Sequence, residues 1–352
     1  MAIKLNLDEL MRKKGITLEK LAEKVGIAPP NLSNIKTGKI SSLRLETLDK
    51  ICAALGCTPG DLLEYEGEKS RVIPMFLDYT GTTDLLLNGG AENVKIFFDS
   101  VIAMQRQTGA EIRICMVTGS ALESAKSKFE KFAQLAENYN LPNLFDCAVA
   151  EYCGYAIRRD SIEGLLPIDP RIVAQREAIE TIISKHGGDI SKSTTSYYNT
   201  VYNDISRTDL ARLAEELEGW MHKVTGDDSI EALYYYDDYG RECDIKPKGH
   251  TKPKAVAMLV EQMREKHDVP LVIIGGDSKE EDLRMYDGNQ ELLSSYGIPS
   301  VFIAPANIGE ITTSNRNIII GDWENSDGIA DGIKQMLSRL KINIRENGGL
   351  EL

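Results

Sequence analysis

The sequence predicts a small all-α head, then an α/β body of Rossmann type into which an α/β cap is inserted. Three observations carry this expectation. Residues 1–63 fall into short apolar blocks at helical spacing. From residue 72 onward, apolar strand-like runs alternate with helical segments, the pattern of an α/β fold. Between two of those strands roughly ninety residues are left over, far more than a simple crossover uses.

A chain of 352 residues exceeds one ordinary core, since a domain takes about 150 residues. With 42% hydrophobic and 27% charged residues, disordered, collagen-like and coiled-coil chains are excluded. No apolar run approaches the ~18 residues of a membrane span. The N-terminal MAIKLNLDELMRKK lacks the apolar core of a signal peptide, so a cytoplasmic protein is expected. The six cysteines are scattered and form no CxxC, which argues against a disulfide framework, a zinc ribbon or a thioredoxin-like centre. None of the four histidines is paired at metal-ligand spacing.

The net charge of −13 argues against general nucleic-acid binding. It is unevenly spread. Residues 1–63 hold ten Lys/Arg and seven Asp/Glu, a net of +3, and the remainder carries −16. A basic head on an acidic body suggests two tasks.

In the head, Leu5, Leu7, Leu10 and Met11 suggest a first helix closed by Gly15. Thr17 is a good N-cap for a second helix carrying Leu18, Leu21, Ala22 and Val25. Gly26 follows where helices end in the left-handed conformation. A third helix opens at Pro29 and Pro30, which a first turn tolerates, and turns Leu32 and Ile35 inward. A fourth covers residues 43–55, and Pro59 opens a last turn through Leu62 and Leu63. Two helices joined by a tight glycine turn in a five-helix unit match helix-turn-helix geometry. The strings LEKLAEKVGIAPPNLSNIKTGK and LETLDKICAALGCTPGDLLEY resemble the lambda-repressor-like (Cro-type, XRE) family over nearly all of the first 65 residues. The resemblance implies that the third helix enters a major groove of double-stranded DNA. The residues it would present are Pro30, Asn31, Ser33, Asn34 and Lys36, with Lys39 just after. Asn reads adenine edges and Lys holds phosphate or guanine. With no Arg among these readers, a homodimer on a two-fold site is the expected mode. A helical docking module is the bland alternative.

Residues 64–71, EYEGEKSR, read as a linker or frayed helix end. The domains are therefore set at 1–65 for the head, 66–71 for the linker, 72–150 with 246–352 for the core, and 151–245 for the cap.

Four signals follow in the body. A strand over 73–77 ends at Asp78 and the turn Thr80-Gly81. A strand over 112–117 ends at Thr118-Gly119. A lysine cluster, Lys248, Lys252 and Lys254, opens a helix over 253–266. A strand over 269–274 ends at Gly275-Gly276-Asp277, with Glu281 and Asp282 beyond. Strand ends and helix starts are where α/β folds place chemistry. Asp78 offers a nucleophilic carboxylate, Thr118 a hydroxyl donor, lysine a point charge for phosphate, and Asp277 and Asp282 hard oxygens for Mg²⁺.

In this order the signals resemble the haloacid dehalogenase-like (HAD) superfamily of phosphohydrolases over residues 72–345. Carried over, Asp78 is the nucleophile, Thr118 with Gly119 binds phosphate, and Asp277 and Asp282 bind metal with Asp78 and the Thr80 carbonyl. Lys252 is the third-motif lysine and binds phosphate, because G-H-T-K-P-K-A resembles the G-x-S-K-G-x-A of Cof-like members. The resemblance implies a Mg²⁺-dependent hydrolysis of a small phosphorylated metabolite through an aspartyl-phosphate, with substrate choice left to the cap. Strand-like pieces at 153–158, 233–236 and 243–245 and helices at 172–185 and 209–224 are assigned to that cap.

One departure stands out. Most phosphatases of this superfamily carry an acid/base aspartate two residues after the nucleophile, and here that catalytic position is Thr80. The string Asp78-Tyr79-Thr80-Gly81-Thr82 is closer to the Asp-Lys-Thr-Gly-Thr of P-type ATPases, but no membrane span supports a pump. Three outcomes stay open: another acid such as Asp84 or Glu281, slow hydrolysis or phosphoryl transfer, or a transcription regulator whose body senses a phosphorylated ligand without turnover. The tyrosine-rich stretches 193–204 and 234–240 suit either ligand stacking or a half-buried cap hairpin. Glu280 and Glu281 are spare acids beside Asp282. His250, Asp322 and Asp327 read as exposed loop residues.

Overall fold

The computed structural model describes the chain except residues 1–2, 41, 66–68, 89, 167–168, 189–197, 237–240, 280, 312–316, 340, 344–348 and 352. It forms two compact units, Met1–Lys69 and Ser70–Leu352.

The first unit is helical. Strand β1 (Ile3–Leu5) leads into α1 (Leu7–Lys14), α2 (Leu18–Val25), α3 (Pro29–Lys36), α4 (Leu45–Leu55), α5 (Pro59–Leu62) and β2 (Leu63–Tyr65). The Thr17 hydroxyl accepts the Lys20 amide at 3.4 Å, and Gly26 ends α2 at φ 74°. Leu7, Leu21, Leu32, Ile51 and Leu62 are fully buried in one core. Periodicity did not reveal the ribbon of β1 antiparallel to β2, which takes Leu5 from the first helix and Leu63 from the last. Three-residue strands carry too few alternations to register as a period of two.

The second unit is built on an eight-stranded mixed sheet. Its elements are β3 (Val72–Leu77), α6 (Leu85–Asn88), α7 (Ala91–Thr108), β4 (Glu111–Val117), α8 (Leu122–Asn138), β5 (Phe145–Ala150), β6 (Tyr155–Ile157) and β7 (Ile162–Gly164). After the insertion come α12 (Lys252–Lys266), β11 (Val272–Gly275), α13 (Asp282–Asp287), α14 (Gln290–Ser295), β12 (Ser300–Ala304), β13 (Ile318–Ile320) and α15 (Asn325–Arg339). A short hairpin, β14 (Lys341–Asn343) with β15 (Gly349–Glu351), closes the chain. The strand order is β13-β12-β11-β3-β4-β5-β6-β7. All pairs from β13 to β5 are parallel, and β6 and β7 add antiparallel at the edge.

Every residue of β3 is buried, as a central strand covered on both faces requires. Its alternate side chains serve two cores. Ile73, Met75 and Leu77 pack with Phe97, Phe98, Phe132 and Ile333 on the layer of α7, α8 and α15. Phe76 packs with Val256, Leu259 and Tyr286 on the layer of α12 and α13. The chain leaves β3 towards β4 and returns on its other side at β11. The carboxyl ends of β3 and β11 therefore border a topological switch point, where α/β sheets bind ligands.

The insertion carries α9 (Pro170–Ala174), α10 (Arg176–Lys185), β8 (Tyr198–Val201), α11 (Arg207–Thr225), β9 (Ile230–Tyr236) and β10 (Arg241–Pro247), with sheet order β8-β10-β9. Its own core holds Ile179, Ile183, Leu210, Leu217, Ile230, Cys243 and Ile245. Two expectations are corrected. The strand expected in the cap at 153–158 is β6, paired with β5 of the main sheet, because its alternate apolar residues complete the core faces. The single helix expected over 172–185 is divided at Gln175 into α9 and α10. Residues 66–68 of the expected linker, and 193–197 and 237–240 of the tyrosine-rich stretches, lie outside the described residues. Among the described residues no helix is long and apolar enough to cross a membrane.

Candidate active site

Asp78 stands at the carboxyl end of β3 with its side chain almost fully buried. Its amide donates to the Gly275 carbonyl at 3.0 Å, and the Thr83 hydroxyl donates to its carbonyl at 2.9 Å. The chain then turns tightly, the Thr83 and Asp84 amides both donating to the Tyr79 carbonyl. Only glycine fits at position 81. Its φ is +69°, and an added Cβ would lie 2.0 Å from an Asp277 oxygen.

Lys252 comes from the first turn of α12, whose N-cap Thr251 accepts the Lys254 amide. Its ammonium lies 2.9 Å from Asp78, 2.7 Å from Asp282 and 3.0 Å from Glu281. Burial alone would lower its pKa, but the Asp282, Asp78 and Glu281 carboxylates raise it well above the ordinary value. Asp282 also accepts the Ser278 amide at 3.1 Å. Asp277 accepts from the Thr82 hydroxyl at 3.3 Å and from the Asn307 amide group at 2.9 Å. Burial, then the Asp78 charge, pushes Asp277 up to about 6, and the same two causes raise Asp282.

Thr118 is buried at the end of β4, accepting the Ser120 amide at 3.1 Å and donating to the Ser120 hydroxyl at 3.0 Å. Lys128, from α8, donates to the same Ser120 hydroxyl at 2.9 Å and lies 3.9 Å from the Tyr79 ring centre. Gly119 is covered by the Tyr152 ring, 2.7 Å from where a Cβ would stand. Glu151 and Tyr152 both hold positive φ, 53° and 62°. Such backbone is strained for side-chain-bearing residues. Here it lets Glu151 accept the Leu122 amide at the start of α8 and aims Tyr152 at the insertion. The Tyr152 hydroxyl donates to Asp244 at 2.9 Å and meets the Tyr235 hydroxyl, which donates to Glu281 at 2.6 Å.

Asp78, Thr118, Lys252, Asp277 and Asp282, expected from four separate stretches, thus lie around the same strand ends. Thr80 is exposed in the turn. Of the three candidate lysines, Lys252 reaches Asp78, Lys254 is exposed and Lys248 pairs with Asp228 at 3.5 Å. Two expectations of exposure are corrected. His250 is 5% exposed, because the loop before α12 folds over it and Lys246 donates to its carbonyl at 2.8 Å. Asp327 sits in the first turn of α15 and accepts from Asn93. Asp322 is exposed. Glu280 lies outside the described residues. Sequence reading missed Asn307, Lys128, Tyr152 and the joint hold on Glu281. Nothing in their local strings marks them: Asn307 meets Asp277 and Tyr235 meets Glu281 across tens of positions, and Lys128 and Tyr152, though near Thr118 in sequence, are aimed by α8 and by the turn after β5.

Asp78, Asp277 and Asp282 offer oxygens within 4.8 Å of one another. Three carboxylates, Asp78, Asp282 and Glu281, lie within 3.0 Å of the Lys252 ammonium, a fourth, Asp277, stands beside Asp78, and two of the four have raised pKa values. That excess of buried negative charge, all hard oxygen, fits a divalent cation such as Mg²⁺. A second group, Cys115, Asp146 and Cys147, is occupied otherwise: Asp146 pairs with Arg158 at 2.5 Å and Arg113 at 3.5 Å, and the Cys115 thiol is held protonated by its hydrogen bond to Cys147 and by burial.

In the head, α3 leaves Pro30, Asn31, Asn34 and the following Lys39 exposed and Ser33 half-buried. Lys36 is tied to Asp8 of α1 at 3.0 Å.

Residues 6–68 match the family described as the Cro/C1-type HTH DNA-binding domain. The chain is 46% identical over 69 residues to the uncharacterised HTH-type transcriptional regulator YozG of Bacillus subtilis, covering 82% of that protein and 20% of this one. Among solved structures, a haloacid dehalogenase-like hydrolase from Bacteroides thetaiotaomicron is similar at 14% identity and TM-score 0.49, over 75% of this chain and 99% of that one. The C-terminal domain of a trehalose-6-phosphate phosphatase from C. albicans is similar at 13% identity and TM-score 0.47, over 78% of this chain and 94% of that one.

Proposed function

We propose that this chain, which belongs through residues 6–68 to the Cro/C1-type helix-turn-helix DNA-binding family, carries a magnesium-dependent HAD-like phosphohydrolase as its body. The observation that carries the reading is Lys252, held within 3.0 Å of Asp78, Asp282 and Glu281 at the ends of two parallel strands. Asp78 attacks the phosphorus of a small phosphate ester. The new bond joins its carboxylate oxygen to phosphorus, the ester bond breaks, and the alcohol takes its proton from solvent. Water then hydrolyses the aspartyl-phosphate and restores Asp78. Lys252, 2.9 Å from Asp78, meets a phosphoryl oxygen, and the Thr118 hydroxyl and Gly119 amide meet others. Asp78, Asp277, Asp282 and the Thr80 carbonyl would hold Mg²⁺, which offsets phosphoryl charge when bound.

No carboxylate stands at position 80. Glu281 is a poor substitute: against the burial that would raise its pKa, the Lys252 charge and the Tyr235 hydroxyl hold it below the ordinary range. Turnover is therefore slower by about 10²–10⁴-fold than with a positioned acid. That same absence favours a second reading, a transcription regulator whose body binds a phosphorylated effector with little turnover.

The test is phosphate release by the purified full chain with Mg²⁺, on an aryl phosphate and a panel of sugar phosphates and nucleotides, beside Asp78→Asn. Release needing both Mg²⁺ and Asp78 supports the hydrolase. Release no greater than from Asp78→Asn overturns it in favour of the sensor. The head, as a homodimer, is expected to hold a two-fold DNA site through Asn31, Asn34 and Lys39, with Pro30, Ser33 and Lys36 alongside.

A further inference from the structure

A lysine ammonium has three N–H donors. In Lys252 three carboxylates stand within donor distance: Asp78 at 2.9 Å, Asp282 at 2.7 Å and Glu281 at 3.0 Å. Lys252 donates hydrogen bonds to Asp78 and Asp282, and the Glu281 carboxylate is paired with it as a third negative charge, so a phosphoryl oxygen arriving beside Asp78 competes with Glu281 for the remaining N–H. Asp78 is the proposed nucleophile and must stay. Asp282 has a side chain 1% exposed and is held from behind by the Ser278 amide. Glu281 is the most exposed of the three, at 28%, and has the longest stem. It also has a second partner already in place. Its Oε1 accepts from the Tyr235 hydroxyl at 2.6 Å while its Oε2 faces Lys252. Tyr235 belongs to β9 of the insertion. Its hydroxyl meets that of Tyr152, which in turn donates to Asp244 of β10.

We infer that Glu281 is an internal stand-in for the phosphoryl group on Lys252, and that Tyr235 receives its carboxylate when phosphate displaces it. Glu281 and Tyr235 are then positioning residues acting through Lys252. The inference rests on the reading that Lys252 binds phosphate. It assigns a cost to phosphate entry, the transfer of one carboxylate, and it makes that cost depend on a hydroxyl supplied by the insertion. A phosphate ester that leaves Tyr235 free to hold Glu281 is favoured over one whose leaving group occupies the Tyr235 hydroxyl.

The test is binding of inorganic phosphate to the full chain by calorimetry, with Mg²⁺ at fixed ionic strength. Glu281→Gln removes the competing charge and is expected to tighten phosphate about tenfold. Tyr235→Phe removes the receiving hydroxyl and is expected to weaken phosphate several-fold. In the Glu281→Gln background, Tyr235→Phe is expected to change nothing, because no carboxylate remains to be received. Opposite signs with this silence are not produced by a merely structural role, and both substitutions keep side-chain volume. Phosphate bound no more tightly by Glu281→Gln, or a Tyr235→Phe effect that persists in the double variant, overturns the stand-in. Absence of phosphate binding in the wild type and in Glu281→Gln alike overturns the phosphate reading as well.

Discussion

At the residue scale the site is decided by how few partners each group can take. Asp277 is oriented by two donors, Thr82 and Asn307, and Asn307 is itself held by the Asn325 amide at 3.0 Å. Partners of a metal ligand are worth about 10–100-fold in metal affinity. Asn307→Ala is therefore expected to weaken Mg²⁺ binding by about that factor with little change in the melting midpoint, as calorimetric titration with Mg²⁺ checks. His250 supplies a pH dependence. Burial, then the charges of Lys246 and Lys254, lowers its imidazole pKa to about 4, whereas the unfolded chain takes up that proton near pH 6.5. Below about 6.5 the unfolded state binds the extra proton, so stability falls between there and about pH 4 and is full above. Urea unfolding at pH 7 and pH 5 should show a smaller loss in His250→Asn than in the wild type.

At the scale of elements, α3 presents its outer face and α12 its first turn. Helix α3 leaves Asn31 and Asn34 exposed, while its apolar Leu32 and Ile35 are buried in the head core. A bidentate Asn–adenine contact discriminates by about 1–3 kcal/mol, whereas a phosphate contact carries no sequence information. Asn31→Ala is expected to relax preference at one base position. Lys39→Ala is expected to weaken all sequences alike and lower the salt slope by about one. Gel shifts on operator variants across a salt series separate the two. Helix α12 illustrates what patterning can and cannot deliver. The string G-H-T-K-P-K-A marked the helix start and, through the family resemblance, Lys252 among three lysines, yet that Lys252 also meets Asp282 and Glu281 depends on how α12 packs against the sheet.

At the scale of the molecule, head and body have separate cores, the head core drawing on residues 5–63 alone. Ile51 and Phe132 are each fully buried, one in either unit. Large-to-small changes at such sites cost about 2–5 kcal/mol. Ile51→Ala is expected to abolish DNA binding and spare Mg²⁺ binding, and Phe132→Ala to do the reverse. Calorimetry with both binding assays checks this, and loss of both functions in either variant would contradict two independent units. The charge contrast belongs to this scale too: a head of +3 can meet phosphate backbones although the whole chain carries −13.

By itself the sequence indicated the main strands and helices in their order, though not the β1–β2 ribbon, together with the glycine turn of the helix-turn-helix, the strand-end placement of Asp78, Thr118 and Asp277, and the presence of an insertion. These are local or periodic properties: capping, apolar spacing and the burial of central parallel strands. Tertiary structure alone decided the rest. It placed β6 in the main sheet rather than the insertion, buried His250, gave Lys252 three carboxylates, and brought Tyr152, Tyr235 and Asn307 to the site. The site contacts join residues tens to hundreds of positions apart, and even the short-range pairing of β6 with β5 is settled by which faces the sheet buries; the spacing along a chain does not encode which faces meet once the sheet has twisted and the layers have closed.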